Sequence, residues 1–478
     1  MILKRCIVSA CVIVSLLVAL PAQAIQTIGP RSLQNGYPVW FGDNAGFPVG
    51  FCLDAACIPD PVQAGNRFSE QVGFNGEAFY WMADMDLGNP AGLGLMVMAM
   101  EAAWAILDPA NGDQFPFGRI RFRIDVLVPG SYTVTHPFGQ ATVVVPAVGP
   151  GPEITDANFS VLGGDIAGTV ADVPPFAGVL GSGITHFFSV AGIGAPAPGA
   201  LFTGAGLMAS SNAGGSLPAR TTFSVTGPLN AFGPGISTLS TNQVLTMAGR
   251  AFDPGPNTAP VLVADAAIAM GGRPIVIDPL LNDTDVVGAG NVHGLNPKAT
   301  ALVGGVAGPK TVTVGGTVLT FGADEVVTTA GGNTVTKNPD GTFQFHPQPA
   351  FTGVDTFQYV VQDTGGLISG QTLATDPVVP ATVTVTVETL AVTDATFSPK
   401  TVKWTVSGTS SAANGTVITV FGAPTADPAR VLGTATVTNG SWRFAGKAAL
   451  SPAGGRQVTA RSATSALVTA AAAPLVIR

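Results

Sequence analysis

The segment from Asn257 to about Val387 constrains the fold most strongly, because strand patterns alternate in it with two-residue turns. Thr311–Val314 and Thr317–Phe321 flank the pair Gly315-Gly316. Two successive glycines supply the positive φ angles that a tight hairpin turn requires. Thr382–Val387 then alternates threonine and valine, the two-residue period of a strand with one buried face. The segment is therefore predicted to be β-structure built largely from hairpins.

Four motifs follow one another in this segment: NTAPVLVADAAI, LLNDTD, NPDGTFQFHP and GVDTFQYVVQD. Their order resembles the cadherin-like, immunoglobulin-like repeats of bacterial surface adhesins. Such repeats combine an entry strand carrying an aspartate, an L-x-N-D-x-D loop, an N-x-D-G-T-F-x-F-x-P hairpin and a G-x-D-x-F-x-Y-x-V-x-D strand. The resemblance covers about residues 257–388. It implies a β-sandwich that works outside the cell in adhesion or matrix attachment.

Turn-rich joints divide the rest of the chain into a domain at 25–255 and another at 390–478. In the second of these, Asn439-Gly440 joins two strand patterns, a strong hairpin signal. This domain resembles the bacterial immunoglobulin-like domains that end many secreted proteins. The predicted fold class is mainly β, with tandem cadherin-like and immunoglobulin-like β-sandwich domains.

The domain at 25–255 resembles no family that we recognise, and we predict a β-rich structure with Gly/Pro-rich loops and one helix. The helix is predicted at about residues 91–107, where Met96, Met100, Trp104 and Leu107 recur at intervals of three to four residues. Asn89-Pro90 precedes it, and a proline is tolerated in a first helical turn. The same stretch is short for a membrane span and carries Glu101, so we predict no transmembrane segment.

The first 24 residues have the pattern of a secretory signal peptide. Lys4 and Arg5 precede an apolar run through Leu20, and Ala22-Gln23-Ala24 provides a small-x-small cleavage site. This pattern predicts Sec-type export and a secreted or cell-surface protein, with the periplasm as the alternative compartment.

Cys52 and Cys57 are the cysteines that remain after such a signal is removed. A close pair in an exported chain predicts a disulfide. A metal site is the alternative interpretation, but no histidine or second cysteine pair lies nearby to complete four ligands.

The chain is poor in charge, which restricts its partners. Charged residues form 10% of the sequence and the formal net charge is −8, whereas about 25% is usual in soluble proteins. An acidic chain with few cations argues against nucleic-acid binding, which requires a basic surface.

The resemblance to cadherin-like repeats implies Ca²⁺ as a ligand, held by Asp265, Asp283, Asp285 and Asp363. The segments Val263–Ala266 and Asp363–Gly366 carry fewer acids than these repeats usually do. The alternative is that the loop aspartates bond the backbone of their own turns, as Asp and Asn commonly do.

Tyr80 and Trp81 are candidates for a sugar-binding platform, because their rings combine apolar faces with polar tips. The alternative is core packing. Taken together, these features predict a secreted, non-catalytic adhesive, matrix or surface-structural protein. Its expected partner is an extracellular polysaccharide, a cell-surface component or another copy of itself. Two other hypotheses remain: a carbohydrate-active enzyme or enzyme accessory with its site in residues 25–255, and a subunit of an extracellular filament.

Overall fold

The structure is a computed structural model. It describes residues 25–106, 108–155, 166–167, 176, 184–191, 196–208, 221–253, 255–287, 292–452 and 455–478. The predicted signal peptide lies outside the described residues. Within them, the strands form six sheets, two in each of three consecutive segments of the chain. This architecture confirms the prediction of a mainly β protein. No helix in the described part is long and apolar enough to cross a membrane.

The N-terminal domain contains fourteen strands among its described residues. They are β1 (Ile25–Ile28), β2 (Trp40–Asp43), β3 (Pro48–Gly50), β4 (Ala78–Asp86), β5 (Gly94–Trp104), β6 (Gln114–Ile124), β7 (Gly130–His136), β8 (Gly139–Val145), β9 (Ile154–Thr155), β10 (Ile166–Ala167), β11 (Leu201–Leu207), β12 (Phe223–Thr226), β13 (Thr238–Thr241) and β14 (Gln243–Ala251). The larger sheet has the order β1-β2-β3-β14-β4-β5-β6-β10, with β11 beside β14 and β9 beside β6. The smaller sheet has the order β13-β12-β7-β8. Both sheets contribute to one core, in which the rings of Phe122 and Phe223 lie 5.9 Å apart.

The helix predicted at about residues 91–107 is wrong, because Gly94–Trp104 forms strand β5 in the middle of the larger sheet. Hydrogen-bonded strands flank β5 on both sides, and most of its residues are buried. A strand buried on both faces is apolar at nearly every position, so its residues also satisfy a helical spacing. Periodicity alone therefore could not separate the two structures.

Among the described residues of this domain, Arg67–Val72 form the α-helix α1. The side chain of Asn66 begins it by accepting hydrogen bonds from the backbone N–H groups of Phe68 and Ser69, the usual work of an N-cap. Gly73 ends it at φ 96°, a conformation that favours glycine. Short 3-10 helices lie at Ala55–Cys57, Pro279–Leu281 and Pro428–Arg430.

The second segment, which we call the cadherin-like module, contains ten strands. They are β15 (Asp265–Met270), β16 (Ile275–Ile277), β17 (Leu295–Val303), β18 (Thr311–Val314), β19 (Thr317–Thr320), β20 (Val326–Thr328), β21 (Thr334–Lys337), β22 (Phe343–His346), β23 (Gly353–Asp363) and β24 (Ala381–Glu388). One sheet has the order β15-β24-β23-β17-β19-β18 and the other β16-β22-β21-β20. The β18–β19 hairpin lies where the sequence predicted it, with φ 53° at Gly315 and 84° at Gly316.

The third segment, which we call the C-terminal module, is a smaller two-sheet unit. Its strands are β25 (Leu390–Ser398), β26 (Lys403–Ser410), β27 (Val417–Phe421), β28 (Val431–Thr436), β29 (Ser441–Lys447), β30 (Gln457–Ser462), β31 (Ala473–Pro474) and β32 (Val476–Ile477). The sheet orders are β29-β26-β25-β32 and β28-β27-β30-β31. Its core forms a cluster of its own around Trp404 and Trp442.

The core of the N-terminal domain continues into the cadherin-like module. Leu319 and Phe321, at the end of the β18–β19 hairpin, are fully buried in the same cluster as Phe74 and Tyr37. The guanidinium of Arg31 lies 5.0 Å from the centre of the Phe321 ring. These two parts of the chain therefore pack against each other through apolar side chains.

Polar contacts reinforce this junction. The side-chain oxygen of Gln362 accepts a hydrogen bond from the backbone N–H of Leu33 at 2.7 Å. From α1, Gln71 donates to the backbone oxygen of Phe321 at 3.1 Å. Lys298 donates to the backbone oxygen of Glu70 at 3.0 Å. The first two of these hydrogen bonds are buried, and buried hydrogen bonds with defined geometry fix the orientation of the two parts.

Candidate functional site

The disulfide predicted between Cys52 and Cys57 is present, with both cysteines buried. It closes the loop that contains the 3-10 helix Ala55–Cys57. Asp54 begins this helix, and its Oδ1 accepts a hydrogen bond from the backbone N–H of Ala56 at 3.0 Å. The disulfide holds this loop against β4 and β14, beside Ala248 and Met82.

The sugar-binding prediction for Tyr80 and Trp81 is wrong, because both side chains are fully buried in the core. Tyr80 donates to the backbone oxygen of Pro38 at 2.5 Å, and Trp81 Nε1 donates to that of Phe188 at 3.1 Å. The pairing of β4 with β5 shifts register between Phe79 and Trp81. The Tyr80 ring packs against Phe41 and the Trp81 ring against Phe188. Aromatic side chains therefore cover the larger sheet around both rings.

The pocket expected from the enzyme hypothesis would join an exposed aromatic ring with nearby acids. Since Tyr80 and Trp81 are buried, neither ring can serve there. The acids also have other contacts: Glu77 pairs with Arg119 at 3.3 Å, and Asp84 accepts a hydrogen bond from Thr246 at 3.0 Å. Among the described residues, Tyr80 and Trp81 therefore do not form an exposed pocket with these acids.

Asp283 has a structural role in the cadherin-like module. Its Oδ1 accepts a hydrogen bond from the backbone N–H of Val263 at 2.8 Å, and its Oδ2 accepts one from the hydroxyl of Tyr359 at 2.8 Å. It thus ties the entry segment to the closing strand β23. This geometry explains why the L-x-N-D-x-D loop and the tyrosine of the last motif occur together.

The four aspartates predicted to bind Ca²⁺ fall into two pairs. Burial chiefly raises the pKa of Asp265, and the charge of Asp283 raises it further. Burial likewise raises the pKa of Asp363 to about 6, with a contribution from the charge of Asp285. Among the described residues, no three His, Cys, Asp or Glu side chains converge as metal ligands.

Of the two pairs, Asp285 with Asp363 fits a bound cation better than Asp265 with Asp283. Asp363 is buried, and within the described part of the chain its Oδ2 makes no hydrogen bond of normal geometry. The side-chain amide of Asn257 lies close enough to lower the pKa of Asp363. Two carboxylates and an amide oxygen suit the preference of Ca²⁺ for oxygen, but six to eight ligands are needed, so backbone or water would supply the rest. The calcium site remains a prediction, with Asp283 assigned to structure.

Replacing Asp363 with asparagine is expected to stabilise the cation-free protein above about pH 6. Asparagine keeps the Oδ1 atom that accepts hydrogen bonds from the backbone N–H groups of Gly365 and Leu367, both at 2.9 Å. Because the pKa rises from 3.8 to about 6 on folding, the wild-type protein loses stability as pH rises between these values. The gain at pH 8 is expected to reach up to about 3 kcal/mol.

Urea denaturation of wild type and D363N at pH 4 and pH 8, in chelator, measures this difference. Equal stability of the two proteins at pH 8 would contradict the raised pKa. Repeating the melts with Ca²⁺ tests the cation separately: Ca²⁺ is expected to raise the melting temperature of wild type but not of D363N. An unchanged wild-type melting temperature would rule out the calcium site.

A cleft lies where the N-terminal domain meets the cadherin-like module, and we call it the junction cleft. It has a volume of about 720 Å³ and is lined by residues from the segments 32–39, 50–54, 198–199, 250–253, 292–296 and 362–364. The Phe252 ring stacks on Trp40 and on His293, with ring centres 5.7 Å apart in each pair. His293 Nε2 lies 3.1 Å from the backbone oxygen of Asp253.

The sequence did not indicate the junction cleft, because its lining comes from six separate segments and no local motif marks it. The sequence feature that comes nearest to marking the cleft is a pair of polar segments around Asp253 and Asp363. They lie beside the first and the last of the four motifs. Only the packing of the two domains brings them together.

Comparison with known proteins supports the assignment of the second segment. A family model described as "Cadherin-like domain" matches residues 315–377. No curated protein matches the chain. Among solved structures, the I-band fragment I67-I69 from titin is 6% identical, with 54% of this chain and 92% of that chain covered and a TM-score of 0.17.

Sidekick-1 immunoglobulin domains 1-5 are 10% identical, with 83% of this chain and 73% of that chain covered and a TM-score of 0.15. The Bacteroides ovatus protein SGBP-B from a mixed-linkage glucan utilization locus, in complex with a mixed-linkage heptasaccharide, is 11% identical, with 61% and 67% covered and a TM-score of 0.12. Scores this low carry no argument about function. The family match confirms that the second segment contains a cadherin-like domain.

Proposed function

We propose that the protein is an exported, non-catalytic adhesive or matrix protein of a bacterium that binds extracellular polysaccharide. The observation that carries the proposal is the cadherin-like match at residues 315–377 within a chain of consecutive two-sheet units. Cadherin-like domains of bacterial surface adhesins serve adhesion and matrix attachment. A sandwich fold hosts many functions, so the proposal depends on this match and not on architecture alone.

Two further observations support an extracellular location. The Cys52–Cys57 disulfide is the kind of bond that persists in oxidising compartments. The first 24 residues have the pattern of a secretory signal. The chain has few charges and a formal net charge of −8. Nucleic-acid binding requires a basic surface, so these charges favour uncharged polymers as partners.

The proposed function is tested with the chain from residue 25 to residue 478. We expect it to co-sediment with insoluble polysaccharides or with purified bacterial cell wall, and to be released by the matching soluble glycan. Serum albumin, incubated in parallel, controls for trapping in the pellet. Recovery of the protein in the supernatant with every polysaccharide and with cell wall would refute the proposal.

Self-association is a second candidate, favoured by the smaller sheet of the cadherin-like module. Its edge strands β16 and β20 expose Val276 and Val326, and unpaired edges of this kind can add a strand from another copy. Analytical ultracentrifugation over a range of concentrations separates this candidate, and the filament hypothesis with it, from glycan binding. A monomer at every concentration would contradict both.

A further inference from the structure

The C-terminal module differs in charge from the rest of the protein. Residues 390–478 contain eight lysine and arginine residues and two acids, a formal charge of +6, whereas residues 25–389 contain eleven and twenty-seven, a formal charge of −16. The net charge of the whole chain, which favours uncharged partners, therefore conceals one basic module. A separation of charge of this kind is typical of a surface that attracts anions.

Four of these cations lie at one end of the sheet β29-β26-β25-β32. Lys447 on β29 lies directly opposite Lys403 on β26, and Lys403 lies opposite Ser398 at the end of β25. Lys400 belongs to the turn that joins Ser398 to Lys403. Arg478 directly follows β32, which pairs with the last part of β25. We call Lys400, Lys403, Lys447 and Arg478 the basic row.

The charge of the basic row is not neutralised within the module. All four side chains are exposed, and in the described part of the chain their charged groups form no ion pair or hydrogen bond. The two acids of the module lie elsewhere. Asp394 is opposite Ser407, four residues along β26 from Lys403, and Asp427 begins the 3-10 helix Pro428–Arg430. The row therefore presents net positive charge to the solvent.

The basic row lies far from the point at which the C-terminal module joins the rest of the protein. β25 begins at Leu390, just after β24 ends at Glu388, and its nine residues end at Ser398. Since a strand rises about 3.3 Å per residue, the row lies roughly 26 Å from this connection. A polyanion can therefore contact the row at a distance from the acidic segment 25–389.

The local arrangement of the row is unfavourable for the fold itself. Like charges directly opposite each other on neighbouring strands destabilise a sheet, and Lys403 and Lys447 form such a pair. In the adjoining turn, Val402 has a φ of 52°, which is rare for a β-branched residue. Departures from local rules are expected where a surface serves binding. A bound anion would remove the repulsion between the two ammonium groups.

The surroundings of the row favour an acidic polysaccharide. Thr405 and Thr396 lie opposite each other, two residues from Lys403 and Ser398 on the same face, so hydroxyl groups adjoin the cations. Neighbouring strands lie about 4.8 Å apart, so successive cations can contact successive carboxylates of one polymer chain. The threonine hydroxyl groups can donate to and accept from those of the sugar rings.

Duplex nucleic acid fits the row less well. It carries about one negative charge per 1.7 Å and requires a broad basic face. The basic row is narrow, and the charge of −16 on residues 25–389 would repel such a dense polyanion. A polymer whose carboxylates are separated by hydroxyl-bearing rings therefore matches the row better.

We propose that the basic row binds an acidic polysaccharide, with carboxylates on Lys403 and Lys447 and sugar hydroxyl groups on Thr396 and Thr405. This inference rests on the proposed function, and it names the class of polysaccharide and the module that holds it. Lys400 and Arg478 extend the contact on either side of Ser398.

The test measures binding of the chain from residue 25 to residue 478 to immobilised polygalacturonate and alginate, with dextran and pullulan as neutral polymers. Chelator is present throughout, so that Ca²⁺ cannot bridge the carboxylates of the polysaccharide to acids of the protein. The variant K403Q/K447Q removes two charges of the row. The matched control, R123Q/R273Q, removes two exposed charges from the other domains and changes the net charge equally. Thermal melts verify that each variant is folded.

Wild type is expected to bind the acidic polymers and not the neutral ones. K403Q/K447Q is expected to lose about three- to thirtyfold in affinity, the effect of two exposed ion pairs, while R123Q/R273Q binds as wild type does. Raising the salt from about 0.01 M to about 1 M shortens the Debye length from about 30 Å to about 3 Å and is expected to abolish binding.

Four outcomes would overturn this inference. If wild type binds neutral polysaccharides alone, or if K403Q/K447Q binds as tightly as R123Q/R273Q, the basic row is not the site and the proposed function stands. Duplex DNA that binds more tightly than the acidic polysaccharides would overturn the ligand class. Salt-dependent self-association that K403Q/K447Q lacks would assign the row to a second copy of the chain. If wild type binds no polysaccharide and no cell wall, the proposed function fails as well.

Discussion

Replacing Phe321 with alanine is expected to destabilise the N-terminal domain, although Phe321 belongs to the cadherin-like module. The ring is fully buried in the core that contains Phe74 and Tyr37. Its removal leaves a cavity and removes the aromatic face below Arg31. Deletion of a buried phenylalanine ring costs about 3–5 kcal/mol. The loss is expected on both sides of the junction, because Phe321 is part of a core that both domains share.

Hydrogen–deuterium exchange in the whole chain measures this effect locally. In F321A, we expect faster exchange in β4, β5 and β6 of the N-terminal domain as well as in β18 and β19. The control is F345A, which removes a ring of equal burial from the separate core of the cadherin-like module. F345A is expected to affect β16, β21 and β22 first. Unchanged exchange in β4 to β6 of F321A would show that the two domains are energetically independent.

The shared core also limits which fragments are useful. A fragment that ends near residue 256 lacks Leu319, Phe321 and the polar contact from Gln362. Such a fragment exposes the apolar surface that these residues cover and loses one wall of the junction cleft. Experiments on binding therefore require the N-terminal domain and the cadherin-like module together.

Local signals in the sequence were sufficient for the β18–β19 hairpin and the disulfide. The hairpin predicted at Asn439-Gly440 is wrong, because this turn joins β28 and β29, which lie in different sheets. The pair Gly315-Gly316 fixes a two-residue turn through its φ angles, and Cys52 and Cys57 are near enough in the chain to bond locally. These features depend on a few adjacent residues. Their physical cause lies within the segment that shows the pattern.

Features that depend on distant packing could not be predicted in this way. The strand β5 is apolar on both faces because loops and a second sheet cover it, and the sequence of 94–104 does not record what covers it. From the sequence, Phe321 is expected in the core of its own module. In the structure, its neighbours lie near residues 31–37 and 74. The junction cleft depends on the same docking, which explains why its residues were missed.

The sequence pattern identifies the motif aspartates, whereas their roles depend on the contacts that they make in the fold. Asp283 bonds Tyr359, and Asp363 folds the turn at Gly365 through its Oδ1. The aspartate of the G-x-D-x-F motif, Asp355, is also a hydrogen-bond centre. The acids of a cadherin-like motif thus hold its loops together, whether or not a cation binds to some of them.

Asp355 anchors the loop between β20 and β21, and its replacement is expected to have the second large effect. It is buried, and it accepts hydrogen bonds from the side chains of Thr329 and Asn333 and from the backbone N–H groups of Gly331 and Thr356. Burial alone raises the pKa of Asp355, but these hydrogen bonds outweigh it and hold the pKa below its usual value. Replacement with alanine leaves buried donors without an acceptor and is expected to cost about 3–4 kcal/mol.

The variant D355N separates the charge from the shape. Asparagine keeps one oxygen for the backbone N–H groups but presents a donor to Asn333 and Thr329. The variant protein is therefore expected to be less stable than wild type at pH 7. Because the pKa of Asp355 falls on folding, its stabilising effect is present above the unfolded pKa of about 3.8 and is lost as pH falls through the lower folded value. In urea denaturation, the difference between wild type and D355N is therefore expected to shrink below about pH 4. A difference that stays constant from pH 7 to pH 3 would show that the carboxylate charge does not stabilise this loop, and that shape alone holds β20 and β21 to β23.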